Sequence, residues 1–447
     1  MLNVRMVMQA EINLINKMFA AHSIGARVAK STTKEVKSSF IAYGLQLARG
    51  ESIKKIDNIQ RELSNELTKQ RTKIMRGYSG KAIVRLQDYP LAIEVPHPAP
   101  TPLKYDAAPM HMGRFHALIG RSYSGDKPKE EYLDLERHYH ALIAARSGGG
   151  KSTLMRMALV TLALNTSPKD LQIILIDLKN DDLVPFRALP HVISYAGDIE
   201  GAAAEITRVY EIKKERIATQ DKPYRLLLVI DELAELGPDK EALKKLGSIL
   251  STGRSLGINV WAGTQFPSAS AIGSVVAASF TTRIVGIVDG KNTALVATKR
   301  AGSGAEKLCT PGDFLRIDDG DMVRMKAYDL SQAASVELIR HVVLYKKKVG
   351  MDLGANLGKV GYTQPKTPEY TSENNFDSVP GYDTHFPIKQ GRPLNESESQ
   401  EVRRLAESGQ FDYAGELSLR RLTIYVYGSK NPDRMQWIKE ALEGVAI

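Results

Sequence analysis

A chain of 447 residues, 43% hydrophobic and 25% charged, has the composition of an ordinary soluble globular protein and the length for two or three cored domains, which excludes wholesale disorder. Its single cysteine, Cys309, read as a buried thiol, excludes a disulfide framework or a multi-cysteine zinc site and fits a reducing cytosol. A net charge of +10 suggests a polyanionic partner; residues 1–100 hold 16 Lys or Arg against 8 Asp or Glu, although a solvated basic face accounts for such a surplus nearly as well.

Residues 1–20 carry Arg5, Glu11 and Lys17, the pattern of an amphipathic helix rather than a signal peptide. The longest apolar stretch, 154–164, is interrupted by Arg156 and Thr161, so no run of about 18 apolar residues is available to span a bilayer. The expectation is a soluble, cytoplasmic chain that reaches a membrane only through a partner. After the first helix come a strand-like run at 39–47, an amphipathic helix near 56–69, and strand-like runs at 82–86 and 91–95: a small α/β domain over 1–100. Pro96, Pro98, Pro100, Pro102 and Pro109 then mark an extended connector.

The middle body, 110–360, alternates short apolar strand candidates (140–144, 171–177, 226–231, 259–264 and 283–288) with helical segments, which predicts a parallel sheet covered on both faces. Within it stands the ARSGGGKS run at 145–152. A strand ending near Ala145, three glycines and a helix beginning near Lys151 are what a phosphate loop needs: Gly148, Gly149 and Gly150 free backbone N–H groups, and the helix adds its positive end. Ala145, Arg146, Ser147, the glycines, Lys151, Ser152 and Thr153 are therefore candidate binders of ATP, with Lys151 bridging the β- and γ-phosphates and Ser152 on Mg²⁺. Ala145 stands where the consensus has glycine, and its small size predicts only a slightly different turn.

The strand at 226–231 ends in Asp231 and Glu232. In a parallel sheet that end lies beside the phosphate loop, so Asp231 is expected to hold the metal through water and Glu232 to orient and deprotonate the attacking water. Gln265, ending the next strand, is the candidate γ-phosphate sensor. No further cation follows in the loop, and Arg254, Arg283 and Lys291 are the candidates to supply one. The fold class expected is α/β: a RecA-like P-loop ATPase core with a parallel sheet, preceded by a small α/β domain and followed, across a polar linker at 361–394, by a last body at 395–447.

These strings, together with IGRSYSGD at 119–126, HALIA at 140–144, ILIDLK at 174–179, VIDELAEL at 229–236, GRSLGI at 253–258, GTQ at 263–265, TRI at 282–284, GAEKL at 304–308 and PGDF at 311–314, resemble the FtsK/SpoIIIE DNA translocases, a branch of the FtsK–HerA ring ATPases, over roughly residues 20–325. The resemblance implies a hexamer with double-stranded DNA in its channel and ATP sites between subunits, with Arg254 as the arginine finger and Lys291 as a second cation acting on the neighbour. Two departures stand out. Residues 266–282 contain no Lys or Arg where the family's pore-facing segment is basic, so contact there would fall to backbone N–H and hydroxyl groups. The family's membrane-spanning N-terminus is not found, as in compact forms carried by mobile elements or phages.

The last body reads as a winged-helix or helix-turn-helix module, with Arg403, Arg404, Arg420, Arg421, Lys430 and Arg434 toward phosphates, or as a helical cap without DNA affinity. A helix is expected from Pro432 with Asn431 as its cap. Two rivals share the ATPase chemistry: a type VII-like protein-export motor, favoured by the uncharged pore segment, and a conjugative coupling or DNA-packaging ATPase.

Overall fold

The computed structural model describes residues 4–87, 91–105, 113–123, 127–267 and 274–348, and beyond these a pair of two-residue strands and isolated positions. The linker at 361–394 and the six basic residues singled out in the last body lie outside the described residues. So does the helix expected from Pro432; of the last body a strand pair, Asp412–Tyr413 with Glu416–Leu417, is described. Residues 1–360 form one compact unit and 361–447 a second.

The first unit begins with helix α1 (Val4–Ala21), whose Ile12, Ile15 and Phe19 recur at three- and four-residue spacing and, like Val7, are buried. Strands β1 (Ala26–Val28), β2 (Lys34–Val36) and β3 (Phe40–Leu47) follow. Helices α2 (Ile53–Asn58), capped by Ser52, and α3 (Gln60–Ile74) lead to strands β4 (Arg85–Gln87) and β5 (Ala92–Pro96). The strands make an antiparallel sheet, β1-β3-β5-β4, with β2 on β3. Ile41, Tyr43, Leu63, Ile93 and Val95 fill its core.

A ten-stranded sheet occupies the rest. Its elements are β6 (His116–Ser122), β7 (Lys129–Asp134), β8 (His140–Ala144), α4 (Lys151–Asn165), β9 (Leu171–Ile176), β10 (Val192–Ala196), α5 (Ile199–Thr219), β11 (Arg225–Ile230), α6 (Lys240–Thr252), β12 (Ile258–Thr264), α7 (Ser274–Ser279), β13 (Thr282–Val285), α8 (Lys291–Thr298), β14 (Asp313–Asp318), β15 (Asp321–Lys326) and α9 (Gln332–Lys348). Six strands, ordered β10-β9-β11-β12-β8-β13, run parallel. The expected parallel sheet is thus present, and on one side β14, β15, β6 and β7 extend it antiparallel. A tight turn at 319–320 joins β14 to β15, a connection open only to antiparallel neighbours, whereas β13 reaches β14 by way of α8.

Two apolar layers cover the parallel part. The face carrying Ile143, Leu175, Val229 and Trp261 packs on α4 and α9; the opposite face, with Ile174, Leu228 and Val260, packs on α5 and α6. Helix α4 is buried on nearly every side, which explains why its sequence is apolar all round rather than striped. Among the described residues no helix is long and apolar enough to cross a membrane.

The small sheet is joined to the large one by buried ions. Glu94 Oε2 on β5 accepts from Arg85 Nη1 and from Arg324 Nη1 on β15, each at 2.6 Å; Arg324 Nη2 donates to Asp313 Oδ2 at 2.7 Å, and Lys326 Nζ lies 3.4 Å from the other oxygen. Ser39 Oγ also donates to Asp313 at 2.6 Å. Burial alone would raise the Glu94 carboxyl, but the two guanidinium groups hold it below its ordinary value.

Candidate nucleotide site

The site begins where β8 ends. Gly148 and Gly150 take φ of 73° and 99°, the left-handed region that a side chain resists. A Cβ on Gly148 would meet nothing within 4 Å, so that residue borders open space, whereas one on Gly150 would lie 2.9 Å from the backbone nitrogen of Gly312. Ala145 fits at the position of the consensus glycine because glycines surround it: a Cβ on Gly149 or Gly286 would stand 2.9 or 3.0 Å from its methyl. The loop is pinned from both flanks, Arg146 N donating to Ile287 O at 2.8 Å and Gly312 N to Gly149 O at 2.9 Å.

Lys151, the first residue of α4, is 5% exposed, and its Nζ donates to Asp231 Oδ1 at 2.6 Å and to the Asp231 carbonyl at 2.7 Å. Gly263 makes room for this: a Cβ there would lie 2.2 Å from the Asp231 carbonyl oxygen and 2.9 Å from Lys151 Nζ. Glu232, 2% exposed, accepts from the backbone N–H of Gln265 at 3.0 Å, with Lys179 Nζ 3.6 Å from its carboxylate. The sheet order explains the meeting, since β12 lies between β8 and β11 and all three end at the same edge. Lys151, Asp231, Glu232 and Gln265 are thus brought together.

The remaining cations divide by position. Arg283 is buried, its guanidinium donating to the carbonyls of Ala277 and Ala297, and burial pulls it down to about 10; it staples α7 and α8. Arg254 is exposed and stacks 4.4 Å over the Tyr139 ring. It precedes β12, at the edge of the sheet opposite the phosphate loop; seven residues of strand at about 3.3 Å each separate the two edges, more than an arginine side chain spans. Lys291 is exposed at the start of α8, on the same edge as its own phosphate loop, two residues from Asp289, which pairs with Arg146 at 3.7 Å. Phe266 is 65% exposed, and residues 268–273 of the segment that follows lie outside the described residues.

Two participants were not singled out from the sequence. Asp177 follows β9 beside Asp231, as the pairing of Ile176 with Ile230 requires. It is fully buried, with one oxygen accepting from Asp181 N and Leu183 N and the other without a hydrogen-bond partner among the described residues. Burial, then the neighbouring Asp231, raises its carboxyl above the usual range. An aspartate ending an apolar strand was the available signal, as it was for Asp231. Arg156, one turn into α4, donates to Thr153 Oγ1 at 3.1 Å and to Asp182 and the Leu330 carbonyl, fixing the helix whose first turn carries Lys151 and Ser152.

The donor set suits a triphosphate: a glycine cradle facing open space, a helix N-terminus and a buried lysine. Among the described residues no group of three or more His, Cys, Asp or Glu is placed to hold a metal ion. Mg²⁺ is commonly held by one or two side chains plus substrate phosphates, and Ser152 and Asp231 are the residues that would hold it here.

Residues 103–219 match the model of the FtsK/SpoIIIE family. The DNA translocase FtsK of Staphylococcus epidermidis is 26% identical over 363 residues, 71% of this chain and 43% of that protein. The DNA translocase SftA of Bacillus subtilis is 28% identical over 254 residues, 51% of this chain and 26% of that protein. The chain therefore spans less than half the length of these relatives. Among solved structures, the pCW3 conjugation coupling protein TcpA with ATPγS aligns at a TM-score of 0.49 and 16% identity, over 74% of this chain and 98% of that one. The cytoplasmic domain of the type VII secretion ATPase EccC from Thermomonospora curvata aligns at 0.45 and 20%, over 54% and 33%. The match to the family model runs from the connector through the phosphate loop to the end of α5.

Proposed function

We propose that this chain hydrolyses Mg-ATP and uses the energy to move along double-stranded DNA, working as a hexameric ring with its nucleotide sites between subunits. The observation that carries the reading is the convergence of Lys151, Asp231 and Glu232 at one sheet edge, with β12 between the strands that bear them. Residues 145–153 bind the triphosphate, and Lys151 trades Asp231 for phosphate oxygens. Ser152 and Asp231 hold the metal; bound Mg²⁺ would neutralise charge on the phosphates. Glu232, fixed by the Gln265 N–H, takes the proton of the attacking water, and the Gln265 side chain senses the γ-phosphate through a second water.

Arg254 acts on a neighbour's nucleotide, which its place at the far edge of the sheet supports. Lys291 is the second cation, although its position on the phosphate-loop edge does not itself require a neighbour. The relatives' names as DNA translocases and the net charge of +10 support DNA as the substrate. The reading is tested by steady-state ATP hydrolysis with and without duplex DNA, in which duplexes of any sequence should stimulate turnover. No stimulation by any duplex, together with stimulation by a peptide, would replace it with protein export. A coupling or packaging ATPase differs only in the partner that receives the DNA.

A further inference from the structure

On the flank of the phosphate loop away from Asp231 lies a cavity of about 240 Å³ that reaches Gly150 and Thr153. Its far wall is the proline connector, Pro100, Thr101, Pro102 and Leu103, and its near wall is Gly312 and Tyr328. The connector is no slack tether here. Thr101 N donates to Lys37 O of the small sheet's β2–β3 turn at 2.9 Å, and Asp329 N donates to Leu103 O at 2.7 Å, so the segment is tied to both bodies. The near wall is tied to the loop itself through Gly312, whose N–H holds Gly149 O while its carbonyl accepts from Ala327 N at 2.8 Å.

A triphosphate seated on residues 148–152 must send its nucleoside off one flank. The flank toward β12 is filled by Lys151 Nζ and Asp231, which occupy the space left over Gly263; the other opens past Thr153 into this cavity. Its walls are largely apolar with a few polar groups, the usual make-up of a small-molecule site, and its volume falls just under the range of about 300–1,000 Å³ for drug-sized ligands. That leaves room for a nucleoside and little more.

We propose that this cavity takes the base and ribose of the nucleotide, so that the connector between the small sheet and the ATPase core is itself a wall of the nucleoside site. The proposal rests on the reading of residues 145–152 as a triphosphate loop. It makes nucleotide occupancy something the small body feels directly, through Thr101 and Lys37.

Thr101 is exposed and lines the cavity, so Thr101→Trp fills the space without disturbing a core. Dissociation constants for ATP and for inorganic tripolyphosphate, by calorimetry on the full chain, separate the two halves of the site. The wild type should bind ATP more tightly than tripolyphosphate. Thr101→Trp should weaken ATP tenfold or more and leave tripolyphosphate within twofold, with an unchanged unliganded Tm as the folding control; Thr101→Ser should change neither. Equal affinity of the wild type for the two probes, or a Thr101→Trp effect that is absent or the same on both, overturns the proposal. Lys151→Ala tests the underlying reading separately: if it leaves both affinities intact, the phosphate loop has been misassigned.

Discussion

Glu94 is the residue on which the junction between the two sheets turns. Two acids, Glu94 and Asp313, face two guanidinium groups, Arg85 and Arg324, and the ammonium of Lys326, all buried or nearly so. Burial pulls Lys326 below its ordinary pKa, against the attraction of Asp313, which makes it the cation most readily neutralised. Glu94→Gln keeps the shape and leaves one acid between two guanidinium groups that have no way to discharge. Breaking a buried pair by removing one partner costs about 3–5 kcal/mol, a large share of a folding stability of about 5–15 kcal/mol. Arg324→Met, by contrast, leaves two acids with Arg85 and Lys326, a balanced set, and should cost less. The double variant should cost less than the sum of the singles, because the second change removes the cation the first stranded. Urea unfolding followed by far-ultraviolet circular dichroism and by tryptophan fluorescence, to which the buried Trp261 contributes, gives the three values. A Glu94→Gln cost no greater than that of Arg324→Met would refute the charge-balance argument.

Gly263→Ala should abolish turnover, since its methyl needs space now held by the Asp231 carbonyl and Lys151 Nζ; normal steady-state hydrolysis would contradict the packing. In nucleotide-binding and turnover assays, Lys151→Ala should lose both, whereas Glu232→Gln should keep ATP bound and lose hydrolysis because an amide cannot take the water's proton; wild-type turnover in Glu232→Gln would remove that assignment. Burial pushes the His140 imidazole down to about 4. A lowered folded pKa means the unfolded chain binds the proton first, so stability is full above about pH 6.5 and falls by roughly 3 kcal/mol on the way to pH 4. His140→Leu should flatten that part of a pH–stability profile measured by urea unfolding, and an unchanged profile would argue against it.

The parallel strands were legible because each is a short apolar run. The stretches read at 171–177 and 226–231 overlap β9 and β11 closely. Strand β10 escaped because it sits at the sheet edge and mixes Ser194 and Tyr195 into a half-buried pattern. The β14–β15 hairpin carried an unused sign: Asp319 and Gly320 have φ of 48° and 87°, the pair of positive values a tight hairpin turn demands, and Asp-Gly is the dipeptide that supplies them. The phosphate loop and the Asp231–Glu232 pair were readable as local strings. The Glu94–Arg324–Asp313 junction was not, since its members come from strands about 230 residues apart in the chain and only register brings them together.

The parallel order of the sheet sets what one chain can do alone. Because β8, β11 and β12 run the same way, everything that follows a strand collects at one edge and everything that precedes one collects at the other. Lys151, Asp231, Glu232 and Gln265 all follow strands; Arg254 precedes one. No side-chain rearrangement within a chain closes a gap of seven strand residues, at about 3.3 Å each. If Arg254 serves the nucleotide at all, it serves one bound to another copy, whose phosphate-loop edge must then face this chain's opposite edge. Such a contact is heterologous, repeating head to tail, and closes only as a ring or runs on as a filament. A finger in this position is therefore an argument for assembly from the topology of a single subunit.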